Sequence, residues 1–195
     1  MSGAGFIIDR YIPFMKGPVG RISVHIAIPG PVTPAISAAF YQAEEETLIV
    51  HLTHEEVRSR FFSALESESL TLQCDKAGRL ICIQIAKPRR LWIRERGIDA
   101  APAPPVDLRF LDFRTQVPEP EYLCDSNRER VLLRWGNVYR ADRYRLGDNV
   151  TVFVVGGNTL AGIYIDTIRE DRAGKRLSIW RRLVAEGKSA DGSTP

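Results

Sequence analysis

Three groups of residues have the types and spacing that chemistry requires. The first is His51-Leu52-Thr53-His54-Glu55-Glu56. Two histidines three apart beside carboxylates can contribute to a metal site, but such a site needs three or four converging ligands. On a strand His51 and His54 point to opposite faces, and only a helix would align them. The third histidine, His25, is distant in sequence. Surface polar residues are therefore the expectation, with no metal and no cofactor. The second group is Glu44-Glu45-Glu46 with Asp75. General acid–base work needs carboxylates in unlike environments, at least one partly desolvated. Three adjacent glutamates in a turn-like segment read instead as solvated.

The third group interleaves base and aromatic: Arg128, Arg130, Arg134, Trp135, Tyr139, Arg140, Arg143, Tyr144 and Arg145. Gathered on one sheet face, these residues could hold phosphates and stack on bases. Glu129, Asp142 and Asp148 dilute the charge. The long arginine stems also serve to cover apolar surface. The expected binding face is Arg134, Trp135, Tyr139, Arg140, Arg143, Tyr144 and Arg145. No catalytic residue is assigned. The chain has no Gly-x-Ser-x-Gly elbow and no phosphate loop ending in Lys-Ser/Thr, and Gly156-Gly157 reads as a hairpin turn.

Composition narrows the classes further. The net charge is +3, and residues 1–100 carry 12 basic and 11 acidic groups, without the strong basic excess of a dedicated nucleic-acid binder. Arginine outnumbers lysine 22 to 5, which suits forked hydrogen bonding at interfaces. Cys74, Cys82 and Cys124 are an odd, sparse set, expected as buried thiols rather than a disulfide framework. No apolar run approaches the roughly 20 residues of a membrane-spanning helix, so no membrane is expected as a partner. Met1-Ser2-Gly3-Ala4-Gly5 lacks a basic start leading into an apolar run, and a cytoplasmic location is expected.

The elements that must position these residues are mainly strands, and they come twice. Phe40–Val50 leads to Leu70–Cys74, an Asp75-Lys76-Ala77-Gly78 turn, and Leu80–Ile85. Leu123–Leu133 leads to Val150–Val154, a Gly156-Gly157-Asn158 turn, and Thr159–Ile165. Leu48 aligns with Val131, Val57 with Val138, Leu65 with Leu146, Leu80 with Leu160 and Ile85 with Ile165, an offset that drifts only from 83 to 80. Turn residues between period-2 runs make hairpins. Ile81, Ile83, Ile163 and Ile165 are expected to be buried. The second hairpin is apolar on both faces, which demands cover on both.

The expected architecture is mainly β, with two related small antiparallel β-sheet units and a C-terminal helix. Residues 1–35 are an N-terminal extension with one strand, adding an edge to one unit. Residues 36–99 form the first unit, 100–120 a Pro-rich linker, and 121–168 the second unit. Leu177, Trp180 and Val184 make an apolar stripe, so 169–187 reads as a helix and 188–195 as a disordered tail. The stretch 53–65 fits a helix through Thr53 and Glu56 but is read as strand.

The first unit resembles the YuzE-like family of small bacterial proteins, a domain of unknown function. Tyr41, Leu48 and Val50 fit its opening, and Asp75, Gly78, Leu80, Ile83 and Ile85 its close. Gln42 and Glu46 stand where the family tends to have aspartate, and Cys82 where it tends to have glycine. In the second unit Asp125, Leu160, Gly162, Ile163 and Ile165 match, without the opening tyrosine. The resemblance implies two divergent tandem copies and no particular activity. The functional expectation is a non-enzymatic binding or assembly module, acting through sheet edges and the Arg/aromatic face. Its partner is expected to be a protein or a second copy of the chain. The alternative is a nucleic-acid-binding accessory protein, and the third reading a small hydrolase or metal enzyme using His51 and His54.

Overall fold

Leu70–Cys74 and Leu80–Ile85 alternate apolar and polar residues on either side of a turn. In the computed structural model of the protein they form an antiparallel hairpin. Asp75 organises the turn: its Oδ1 accepts from the backbone N–H groups of Ala77 and Arg79 at 2.8 and 2.9 Å. Gly78 has φ +79°, and a Cβ there would lie 2.4 Å from the Phe110 carbonyl oxygen. Only glycine tolerates both conditions.

The structure describes residues 21–27, 33–54, 60–112 and 114–171. An N-terminal strand, β1 (Val24–Ala27), precedes β2 (Ile36–Gln42), β3 (Thr47–Thr53), β4 (Ser63–Glu66), β5 (Leu70–Cys74) and β6 (Leu80–Ile85). After a 3-10 turn at Arg89–Leu91 come β7 (Ile93–Arg94), β8 (Asp107–Phe110) and β9 (Thr115–Gln116). The second half holds β10 (Glu121–Cys124), β11 (Val131–Arg134), a 3-10 turn at Val138–Arg140, β12 (Asp142–Gly147), β13 (Val150–Val155), β14 (Thr159–Ile165) and β15 (Arg169–Glu170). The protein is mainly β, as expected.

The two units share one topology. The first has strand order β2-β3-β6-β5-β4 and the second β10-β11-β14-β13-β12, the same path with every number raised by eight. Registers agree as well. Leu48 lies opposite Ile85 and Val50 opposite Ile83; Val131 lies opposite Ile165 and Leu133 opposite Ile163. A bulge follows Gln73 in one unit and Phe153 in the other, at the same step of the ladder. One expected alignment shifts. Leu65 faces Leu72, whose counterpart Val152 faces Tyr144, so Tyr144 is the equivalent of Leu65. Leu146 is the extra residue of a bulge in β12. Val57 lies outside the described residues.

The units also exchange edge strands. β7 follows the last strand of the first unit but pairs in parallel with β10 of the second, Ile93 beside Leu123 and Arg94 beside Cys124. β15 follows the last strand of the second unit but pairs in parallel with β2 of the first, Arg169 beside Phe40 and Glu170 beside Tyr41. The next hydrogen bond is matched too: Glu95 N–H donates to the Cys124 carbonyl and Asp171 N–H to the Tyr41 carbonyl, both at 2.9 Å. The result is a six-stranded and a seven-stranded sheet. Their inner faces share one core, with Leu48, Val50, Leu72 and Ile83 from one unit and Leu133, Val152, Ile163 and Ile165 from the other.

Several expectations change. Residues 100–120 are more than a linker: Ala101–Pro104 carry no strand, but β8 and β9 follow, and Val106, Leu108, Phe110 and Val117 are buried. β1 pairs with β8 as a two-stranded ribbon, and the residues at its start meet the second unit at the beginning of β14, where Ser23 bridges Thr159, Val24 N–H donates to the Asn158 carbonyl at 2.9 Å and Leu160 N–H to the Ile22 carbonyl at 3.0 Å. The reason is alternation, since Ile22, Val24, Leu108 and Phe110 line one face and all enter the shared core. Arg169–Glu170 form a strand rather than the start of a helix, because β2 offers them a parallel partner. The rest of the expected helix and the tail lie outside the described residues. Within 53–65, β4 begins at Ser63, and residues 55–59 lie outside the description. Ile83, Ile163 and Ile165 are fully buried, but Ile81 is only half-buried. It sits at the bulge, where Leu80 takes the inward place opposite Cys74. All three cysteines are free and buried. Burial pushes the thiols of Cys74 and Cys82 up to about 12, where they are poor nucleophiles.

Candidate binding surface

The Arg/aromatic run divides between the two sides of the six-stranded sheet. Tyr144 stands opposite Val152 and packs against the shared core, as does Trp135. Trp135 Nε1 donates to the Pro118 carbonyl at 2.7 Å. Neither ring is presented for stacking on a base. Strand alternation then turns Arg143 and Arg145 outward, and both are exposed. The Arg143 guanidinium carbon lies 5.8 Å from the Phe153 ring centre. Arg134 also faces outward, but β13 and β14 separate β12 from β11. At about 4.8 Å per strand, Arg134 stands roughly 14 Å from the arginines of β12. The structure leaves Arg143 and Arg145 on β12, and Arg134, with Tyr139 linked to it through Glu95, on the far side of β13 and β14, so the run does not form one continuous face.

The outer face of this sheet carries a second, smaller apolar cluster: Ile98, Leu123, Leu132, Val138, Phe153, Ala161 and Tyr164. Ala100 and Ala141 pack on its margin. The cover demanded by the two-sided apolar hairpin thus comes from the chain itself. At the β7 margin the cover stops. Leu91, Ile93 and Tyr139 are 57%, 56% and 75% exposed. Tyr139 is held there by its hydroxyl, which donates to Glu95 Oε1 at 3.3 Å. Glu95 Oε2 is 3.9 Å from Arg134 Nη1, and Arg134 Nε donates to Glu121 Oε2 at 2.8 Å. An ion-pair network of both signs therefore borders three exposed apolar side chains.

Leu91, Ile93, Glu95 and Glu121 are absent from the sequence-based site. Leu91-Trp92-Ile93 reads as a short apolar run, and its local pattern does not say that only Trp92 turns inward. Sheet edges offer less than expected. β7, β9 and β15 have two residues each. β12 is covered along its free side, where Arg145 N–H donates to the Pro104 carbonyl at 2.8 Å and Val106 N–H to the Arg145 carbonyl at 3.1 Å. Short or covered edges are the usual protection against strand addition.

The other chemical groups disperse. His51 is half-buried on the outward side of β3, with its pKa lowered by burial to about 4, and is not the surface residue expected. His54 Nε2 lies 3.0 Å from the Leu80 carbonyl oxygen. Glu46 pairs with Arg90, while Asp75 caps a turn at the opposite end of the same sheet. Among the described residues no group of three or more His, Cys, Asp or Glu side chains is placed to hold a metal ion. None of their helices is long and apolar enough to cross a membrane. Neither the models of known protein families nor the curated proteins give a match to this chain.

Proposed function

We propose that the chain is a non-enzymatic assembly module that binds a second copy of itself through the outer face of the six-stranded sheet at β7. The observation that carries this reading is the exposure of Leu91, Ile93 and Tyr139 beside the Glu95–Arg134–Glu121 network. An apolar centre with a polar rim is the ordinary anatomy of a protein interface. A rim that bears both signs is self-complementary, which suits a two-fold contact between identical patches. Sedimentation velocity tests it. The wild type should dimerise over a micromolar concentration series, and Ile93→Glu should remain monomeric with an unchanged melting temperature. A wild type that stays monomeric throughout removes the reading. A cytoplasmic location and descent of both units from a YuzE-like hairpin belong to the same proposal. Supporting the latter, the motif residues Asp75 and Gly78 make the turn, and Leu80, Ile83 and Ile85 face the core.

A second reading, nucleic-acid binding, rests on Arg140, Arg143 and Arg145, all exposed. Three phosphate contacts predict a log–log salt slope of roughly −2.7 on duplex DNA. With Trp135 and Tyr144 turned into the core, affinity should stay in the non-specific range of about 10⁻⁴–10⁻⁶ M. Fluorescence anisotropy on random single-stranded and duplex oligonucleotides checks this, and nanomolar binding abolished by Arg143→Ala would reverse the order of the two readings.

A further inference from the structure

The seven-stranded sheet is buried at its centre on the outer face as well as the inner one. Strand alternation turns Phe40, Ile49, His51 and Cys82 outward, away from the shared core. Ile49 and Cys82 are only 4% and 1% exposed, and Phe40 and His51 are half-buried. Among the described residues Ile49 and Cys82 form an apolar cluster of their own. Central strands buried on both faces need cover on both.

The six-stranded sheet shows where such cover comes from. By register, the equivalents of Phe40, Ile49 and Cys82 are Leu123, Leu132 and Gly162. Leu123 and Leu132 cluster with Ile98, and Ala100 packs on the same cluster; both covering residues follow the exchanged strand β7. The exchange is symmetrical, since Glu95 after β7 and Asp171 after β15 make matching bonds to Cys124 and Tyr41. The chain beyond Asp171 therefore starts at the edge of the first unit as the chain beyond Glu95 starts at the edge of the second. β15 runs parallel to β2, so this chain leaves beside the β2–β3 turn, where Glu44 and Glu45 are exposed. Residues 172–187 carry Arg172, Lys175, Arg176, Arg181 and Arg182 against Glu186 alone. Leu177, Trp180 and Val184 recur among them at helical spacing. The strand order from the edge is β15, β2, β3, β6, which puts Cys82 roughly 14 Å in from β15 at about 4.8 Å per strand. A helix over 172–187 would be roughly 24 Å long, enough to cross that distance.

We infer that residues 172–187 dock through the Leu177, Trp180 and Val184 stripe on the outer face of the first unit of the same chain, over Phe40, Ile49, His51 and Cys82. The basic segment and the acidic β2–β3 turn attract each other where the segment enters. The stripe then supplies to the first unit what Ile98 and Ala100 supply to the second. Each unit thus gives the other an edge strand and, directly after it, a cover. Burial of His51, which lowers its pKa to about 4, accords with a covered face. The docking face lies on the other sheet from β7 and does not depend on self-association.

Cysteine alkylation of the full chain is the primary test, because Cys82 lies on the outer face while Cys74 and Cys124 belong to the shared core. N-ethylmaleimide labelling is followed at each cysteine by peptide mass spectrometry. Leu177→Glu combined with Trp180→Glu should label Cys82 about tenfold faster than the wild type or more, with Cys74 and Cys124 unchanged. Leu177→Met combined with Trp180→Phe keeps the stripe apolar and should keep the wild-type protection. Equal labelling of Cys82 in the wild type and the charged variant overturns the docking. A second readout uses the wild type alone and covers a charged variant that fails to fold. Nuclear Overhauser contacts are expected from the Trp180 indole to the Ile49 methyl groups. Their absence, or contacts to Ile49 from another segment of the chain in their place, overturns the docking. Contacts found only between labelled and unlabelled chains overturn it too, because they assign the face to a second copy.

Discussion

Ile83 and Ile163 occupy equivalent places opposite Val50 and Leu133, and neither is accessible to solvent. Truncating either to alanine removes transfer energy and leaves a cavity that tightly paired central strands cannot close. A loss of about 2–5 kcal/mol is expected at each site in urea melts. A loss well under 1 kcal/mol at both would contradict the shared core. His51 makes a different prediction at the same scale. Burial lowers its pKa to about 4 from the ordinary 6.5, so the unfolded chain takes up its proton first as pH falls. Stability is then full above about 6.5 and declines as pH drops towards 4. Between pH 7.5 and pH 5 the loss from this group is at most roughly 2 kcal/mol. His51→Gln should flatten that part of the stability–pH curve, measured by urea midpoints, while leaving the acid limb below pH 4 in place. An unchanged slope would mean that another group carries it.

The exchanged strands make the prediction that belongs to elements. β7 and β15 are short, yet each is joined to its host by backbone hydrogen bonds: Glu95 to Cys124 and Asp171 to Tyr41. Proline has no N–H, so Glu95→Pro and Asp171→Pro each delete one of these bonds and leave a carbonyl unpaired. Each should cost about 1–3 kcal/mol by urea denaturation. Asp171→Pro should be the worse, since that side chain is also buried. An unaltered midpoint for Asp171→Pro would show that β15 adds nothing to the first unit. The hairpins were legible in sequence because turn chemistry and alternation are local, as at Asp75-Lys76-Ala77-Gly78. β7 and β15 were not, because two residues carry no period.

At the scale of the whole molecule, one core and two crossing connections tie the units together. Neither unit keeps its edge strand if the other unfolds. The chain should therefore unfold in a single transition, with tryptophan fluorescence, to which Trp92, Trp135 and Trp180 contribute, coincident with far-ultraviolet circular dichroism. Two separated transitions would show that residues 36–99 and 121–168 fold as independent domains.

What the sequence determined by itself was the strand content, the duplicated plan, and the inward positions of Ile83, Ile163 and Ile165, though not that of Ile81, which the bulge displaces. These follow from alternation and turn residues, whose physics acts over a few positions. What only the tertiary structure decided was the splitting of the Arg/aromatic run, the exposure of Leu91 and Ile93 around a buried Trp92, and the stacking of Arg89 on Tyr41. Each depends on which distant strand lies alongside. Arg169 beside Phe40 is the clearest case: the pairing is set by a free strand edge far along the chain, and the residues that use it carry no local sign of the partner they will find.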